Sequence, residues 1–287
     1  PFSIQPGEFS KILLLIFFAQ LLAQKRALFT VAGKRFLGMT FPRIRDLAPI
    51  LMVWAIAILI MGISNDFGPA LLLFATVLGM VYFATGRASW LFIGVGLVAV
   101  GGYAVYQVSS KIQERVSNFI DPFADFDGIG NQPANALIGL SWGGITGTGL
   151  GYGHPELVPV AHSDYILAAI GEELGFVGIA AVLCLFAVFI TRGFRTAMQA
   201  RDSYGKLLAS GLALTIVIQI FVVAGGVSAM LPMTGLTTPF MSAGGSSVMA
   251  NYILLGLLLR ISNSANRPAD YDAVAAGTAR PEAVGAR

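Results

Sequence analysis

The residues with the most chemical potential in this chain are carboxylates in an apolar setting. The stretch "HSDYILAAIGEELG" (162–175) puts Asp164 at the head of a run that otherwise reads as membrane helix, and Glu172 and Glu173 follow within it. Holding a carboxylate at bilayer depth costs roughly 2.5–3.5 kcal/mol on insertion scales, so such groups are functional candidates by default. Two readings of Asp164 stand. It, or Ser163, could cap the helix by accepting a backbone N–H and complementing the helix dipole, or it could serve as an ionisable site group. Capping does not account for the glutamates two turns deeper. At about 100° per residue, Glu172 lies about 80° from Asp164 and Glu173 about 180° away. Glu172 is therefore expected to line the same cavity as Asp164, and Glu173 to bond a neighbouring helix.

Other polar groups invite similar pairs of readings. Asp66, in "SNDFGPA", reads as a helix cap or a site residue. Lys11 either snorkels or offers a cation to a phosphate at the membrane surface. His154 and His162 are too few for a convincing zinc site. The glycine-rich "GGITGTGLGYG" (143–153) lacks the βαβ surroundings of a dinucleotide cradle. It is expected instead to form a compact loop whose backbone amides approach an anionic or sugar ligand.

These residues sit in a strongly apolar frame. Of 287 residues 56% are hydrophobic and 11% charged, with a mean hydropathy of +0.76. Soluble domains carry about 25% charged residues, so the composition is that of an integral membrane protein. The single cysteine, Cys184, excludes a disulfide framework and a cysteine-ligated metal site. Basic residues flank apolar runs, a distribution the membrane explains without nucleic acid. Seven stretches are long and apolar enough to span, at 8–24, 48–64, 67–85, 90–107, 164–191, 207–230 and 244–262. The fold expected is an all-α polytopic bundle over 1–263, without internal repeats, followed by a disordered tail at 264–287.

Lysine and arginine set the expected orientation. Lys25, Arg26, Lys34, Arg35, Arg43 and Arg45, then Arg87, then Arg192, Arg195, Arg201 and Lys206, then Arg260, Arg267, Arg280 and Arg287 fall on one side if the spans alternate. That side is the cytoplasm. The long segment 108–163, with Glu114, Asp121, Asp125, Asp127 and Glu156, is expected outside, and loops of that length are usually functional. A chain opening at Pro1, without an initiator Met or a signal peptide, is expected to be a fragment lacking an odd number of upstream helices.

Five strings, in order along about 240 residues, together resemble one family. "QPGEFSK" (5–11), "SNDFGPALL" (64–72), "RVSNFIDPFAD" (115–125), "AHSDYILAAIGEELGFVG" (161–178) and "LPMTGLTTPFMSAGGSS" (231–247) are similar to the SEDS family of RodA, FtsW and SpoVE. The resemblance implies a ten-helix membrane fold, of which this chain would supply helices four to ten. It also implies polymerisation of lipid II, the undecaprenyl-pyrophosphate-linked disaccharide-peptide, into glycan strands outside the bacterial plasma membrane beside a class B penicillin-binding transpeptidase. The aspartate essential in the family falls on Asp164, an implicated acidic residue on Glu156, and the lysine closing the first motif on Lys11. The expected site is then Asp164 as catalytic base with Lys11, Arg115, Glu156, His162 and Glu172 around the substrate. A divalent cation, Mg or Mn, is a further expectation at the pyrophosphate. Three positions depart from the family pattern: Ala243 replaces a tyrosine, Asn135-Ala136 replaces Gln-Ser, and Thr234 replaces a lysine typical of FtsW. The last favours an elongation-type member. With three helices missing, residues 1–287 alone are expected to be inactive. Rival expectations are a transporter of the same lipid and a non-catalytic scaffold for the transpeptidase.

Overall fold

The computed structural model describes residues 5–30, 35–36, 39–40, 51–53, 55–56, 59 and 67–267. The expected span at 48–64 lies largely outside the described residues, as do Asp66, Lys34, Arg43, Arg45 and the tail beyond 267. Helix α1 runs Pro6–Thr30, followed by a two-residue antiparallel pair, β1 (Arg35–Phe36) with β2 (Met39–Thr40). Then come α2 (Phe67–Thr85), α3 (Ser89–Val108), α4 (Ser110–Ile120), α5 (Asn131–Gly143), a 3-10 turn (Pro155–Leu157), α6 (Ile166–Gln199), α7 (Ser203–Val227) and α8 (Gly245–Asn266). Among the described residues, six helices (α1, α2, α3, α6, α7 and α8) are long and apolar enough to cross a membrane. They match the six other expected spans. The last helix runs on to Asn266, three residues past the boundary at 263.

Local sequence explains the ends. Pro6 opens α1, where a missing N–H costs nothing, and Glu8 follows in the positive first turn. Asp202 caps α7, its Oδ2 accepting the Gly205 N–H at 2.7 Å. Helix α7 is buried on nearly every face, which suits its uniformly apolar sequence, and forms the axis of the bundle against α1, α2 and α6. Between membrane helices packing is driven by close fit rather than by exclusion of water. Gly79 of α2 illustrates it, because a methyl group there would stand 2.2 Å from Leu214 Cδ2.

Helix α6 has 34 residues and would reach about 50 Å, well beyond the ~30 Å hydrocarbon thickness. It breaks at Gly175, whose φ of 67° and ψ of −167° are not helical. The break leaves 176–199, long enough to span, and a short upper piece that carries Glu172 and Glu173. The segment 108–163, expected as a long loop, holds α4 and α5. Asp121 and Asp125 shape its turns, accepting the N–H groups of Phe123 and Ile129.

Candidate active site

Asp164 stands in the turn before α6, in a pocket of about 130 Å³. Helix α4 contributes Arg115, Asn118 and Phe119, α5 contributes Gln132, Pro133 and Leu137, and the end of α7 with the following loop contributes Gly226, Val227, Ala229, Leu231, Met233 and Gly235. The capping reading fails. Helix α6 starts at Ile166, its N-cap position is Tyr165, and no side-chain cap bond is made. Burial raises the Asp164 pKa above its ordinary value, opposed in part by its own backbone N–H and by the Arg115 charge.

Several hydrogen bonds hold this constellation. Arg115 Nη1 donates to the Thr234 carbonyl at 2.8 Å, tethering α4 to the 231–244 loop. Gly235, with φ of 74°, brings that loop close: a methyl group on it would stand 3.0 Å from Arg115 Nη2 and 4.0 Å from Asp164 Oδ2. Asn118 Nδ2 donates to the Ile129 carbonyl at 2.7 Å and Gln132 Nε2 to the Pro159 carbonyl at 3.0 Å, joining α4, α5 and the turn before Asp164. From the other side, the Ser242 hydroxyl donates to the Ser163 carbonyl and the Ala243 N–H donates to the His162 carbonyl at 2.8 Å. Residue 243 thus contacts the site segment through its backbone, so alanine in place of tyrosine keeps that bond. Phe240 anchors the loop below, edge-on to Phe189 of α6 and Tyr252 of α8. The non-glycine residues with positive φ among the described residues are Val160, Ala229 and Phe240. All three lie in segments that frame the pocket, where backbone strain tends to collect.

Of the six expected site residues, the structure brings Asp164 and Arg115 together and directs the others elsewhere. Lys11 is 4% exposed and paired with Glu8 at 2.5 Å, so it is not a surface cation. Its Nζ also approaches Gln219 Oε1 at 3.5 Å, and Gln219 Nε2 donates to the Thr237 carbonyl at 2.7 Å. The pair therefore props the 231–244 loop from beneath. Glu156 is exposed, with His154 Nδ1 2.9 Å from its Oε1, and this partner holds its pKa below the usual carboxylate value. The His162 side chain is exposed and does not line the pocket.

Glu172 is 3% exposed, and its Oε1 accepts the His154 N–H at 2.6 Å. It is packed against Gly139 and Gly153 rather than beside Asp164. Glu173 does not reach a neighbouring helix; its Oε1 accepts the Gly151 N–H at 3.2 Å. Asp164 sits outside the helical register, in the turn before Ile166, and the rest follows from the break at Gly175. That break leaves carbonyls at 172–173 and amides at 176–177 without helical partners, and buried backbone groups must find others. Thr148 and Gly149 donate to the Glu172 and Glu173 carbonyls at 3.0 Å, while Phe176 and Val177 donate to Gly144 and Ile145 at 2.9 and 3.1 Å. The glycine-rich loop, expected to present amides to a ligand, spends those of Thr148, Gly149 and Gly151 on α6. A methyl group on Gly147, at φ 82°, would stand 2.1 Å from the Glu173 carbonyl oxygen. Gly147→Ala is expected to cost about 2–3 kcal/mol, seen as a lower thermal transition and faster amide exchange across 143–153. Unchanged exchange there would refute the docking role.

Among the pocket residues missed in the sequence are Gly235, Tyr165, Asn118 and Gln132. The string 231–247 offered a signal for the first, but a glycine at positive φ has no chemical group to nominate it. Among the described residues no cluster of three or more His, Cys, Asp or Glu side chains could hold a metal ion. A positive side chain, Arg115, lies beside Asp164 in the pocket.

A family model described as a cell cycle protein, for FtsW, RodA and SpoVE, matches residues 1–267. The chain belongs to the FtsW/RodA/SpoVE family. Peptidoglycan glycosyltransferase RodA of Mycobacterium tuberculosis is 55% identical over 267 residues, 93% of this chain and 57% of that protein. Stage V sporulation protein E of Bacillus subtilis is 33% identical over 91% of this chain and 69% of its own length. The chain thus spans a little over half the length of the RodA relatives it matches. Among solved structures, a chain of a peptidoglycan synthase complex superimposes with a TM-score of 0.63 at 24% identity, covering 93% of this chain and 85% of that one. A mutant RodA of Thermus thermophilus gives 0.61 at 24% identity, covering 92% and 68%. The FtsW/RodA/SpoVE fold is therefore shared, and the protein is a multi-pass membrane protein.

Proposed function

We propose that the full-length protein is an inverting peptidoglycan glycosyltransferase that polymerises lipid II, with Asp164 as general base on the outer side of the plasma membrane. One observation carries the reading: Asp164 has no structural duty. It does not cap α6, it forms no ion pair, and its carboxylate bonds no other residue among those described, yet it is held half-buried in a pocket beside Arg115. Asp164 takes the proton from the acceptor sugar's 4-hydroxyl while that oxygen bonds to the donor's anomeric carbon. The bond from that carbon to undecaprenyl pyrophosphate breaks, and the leaving group keeps the electron pair. Because the donor linkage is alpha and the product beta, one displacement suffices. Arg115 is the cation near the departing negative charge.

The names of the relatives support this reading, and greater identity to RodA than to FtsW proteins favours an elongation role. Similarity to a chain of a peptidoglycan synthase complex, described as coordinating polymerisation and crosslinking, supports a class B penicillin-binding transpeptidase as partner. The outward placement rests on the basic residues at the far end of α6 and α7, opposite Asp164.

A pH–rate profile tests the base. The rate of strand formation from purified lipid II should fall as pH drops through the raised Asp164 pKa, at higher pH than an ordinary aspartate would give. A rate flat across the acid range would remove Asp164 from the proton transfer.

A further inference from the structure

At the opposite end of α6 from Asp164, a cavity of about 490 Å³ opens between α6 and α8. Its polar lining includes Arg192, Arg195, Gln199 and Asn266, and its apolar lining is Phe189, Leu255, Leu258 and Leu259. Arg192 and Arg195, three apart, share a helix face. Neither makes a hydrogen bond or an ion pair with any described residue, and no carboxylate lines the cavity. Among the described residues, the two guanidinium groups on this face thus have no counter-charge.

We propose that this cavity binds the phosphodiester headgroup of an anionic phospholipid from the leaflet on the Arg-rich side of the membrane. Guanidinium is planar, remains charged, and matches phosphate oxygens two at a time. Basic pockets between membrane helices on the cytoplasmic side suit such headgroups. The order of the lining points to a lipid rather than free phosphate. Phe189 lies one turn from Arg192 toward the membrane interior, and Leu255 and Leu259 lie on the same side of Asn266, so an acyl chain entering below the headgroup meets an apolar wall. The proposal stands on these residues alone and is independent of the polymerase reading.

The test is native mass spectrometry of the full-length protein in detergent. It is titrated with phosphatidylglycerol, with phosphatidylcholine of the same chains, and with soluble glycerophosphoglycerol. Phosphatidylglycerol should be retained about tenfold more tightly than phosphatidylcholine, a preference that two interfacial arginines can supply. Arg192→Gln/Arg195→Gln should abolish that preference, whereas Arg260→Gln, an equally basic position outside the cavity, should leave it within twofold. Leu259→Trp, which alters the apolar lining without altering charge, should also lower retention of phosphatidylglycerol. The proposal is overturned if the two lipids bind alike or if Arg260→Gln costs as much as the double variant. It is equally overturned if glycerophosphoglycerol binds as tightly as the lipid, which would make the cavity a free-anion site.

Discussion

Asp164→Asn in the full-length protein should lower glycan-strand formation by about 10²–10⁴-fold, the usual contribution of a general base. The amide has nearly the shape of the carboxylate and cannot accept the acceptor's proton. Loss of a helix cap cannot account for such a result, because α6 is not capped by this side chain. Loss of stability cannot either. Burial raises the Asp164 pKa, so the folded protein holds this proton more tightly than the unfolded chain does. Stability from this group is therefore greatest below the unfolded pKa and is lost as pH rises through the raised folded value. At neutral pH the ionised aspartate is a small burden on the fold, and asparagine removes it. The thermal transition of the variant should equal or exceed that of the parent. The assay is polymerisation of purified lipid II by the protein with its transpeptidase partner. Activity within a few-fold of the parent would leave Asp164 without a chemical role.

The second large effect concerns the ion pair beneath the loop. Lys11→Met leaves the Glu8 carboxylate, 6% exposed, without its counter-ion. Removing one member of a buried pair typically costs about 3–5 kcal/mol, whereas replacing both by neutral groups is often close to neutral. Lys11→Met should therefore depress the thermal transition sharply, and Glu8→Gln/Lys11→Met should restore most of it. Because Gln219 and Thr237 join this pair to the loop that carries Thr234 and Gly235, the single variant should also loosen the Asp164 pocket. A Lys11→Met protein with the parent's thermal transition but no turnover would contradict this and return Lys11 to the substrate.

Much of the molecule was legible in the order of its residues. A span must be apolar for about 20 residues, and that constraint is local, so the six helices described here stood out one by one. The ionisable group at the head of a span was equally visible, because its cost in hydrocarbon does not depend on its neighbours. Tertiary structure decided which polar groups meet. Helical spacing relates Glu172 to Asp164 only while the helix is regular, and the turn before Ile166 and the break at Gly175 show where it is not. Whether Lys11 faces water or the buried side chain of Gln219, and whether amides at 148–149 serve a ligand or the carbonyls of α6, depends on what folds against them from more than 20 residues away. Arg115 and Gly235 come together for the same reason, since the Thr234 carbonyl that holds the guanidinium is 119 residues away in sequence. Composition and periodicity determine what each segment is, and unsatisfied charges and backbone groups determine which segments they bind.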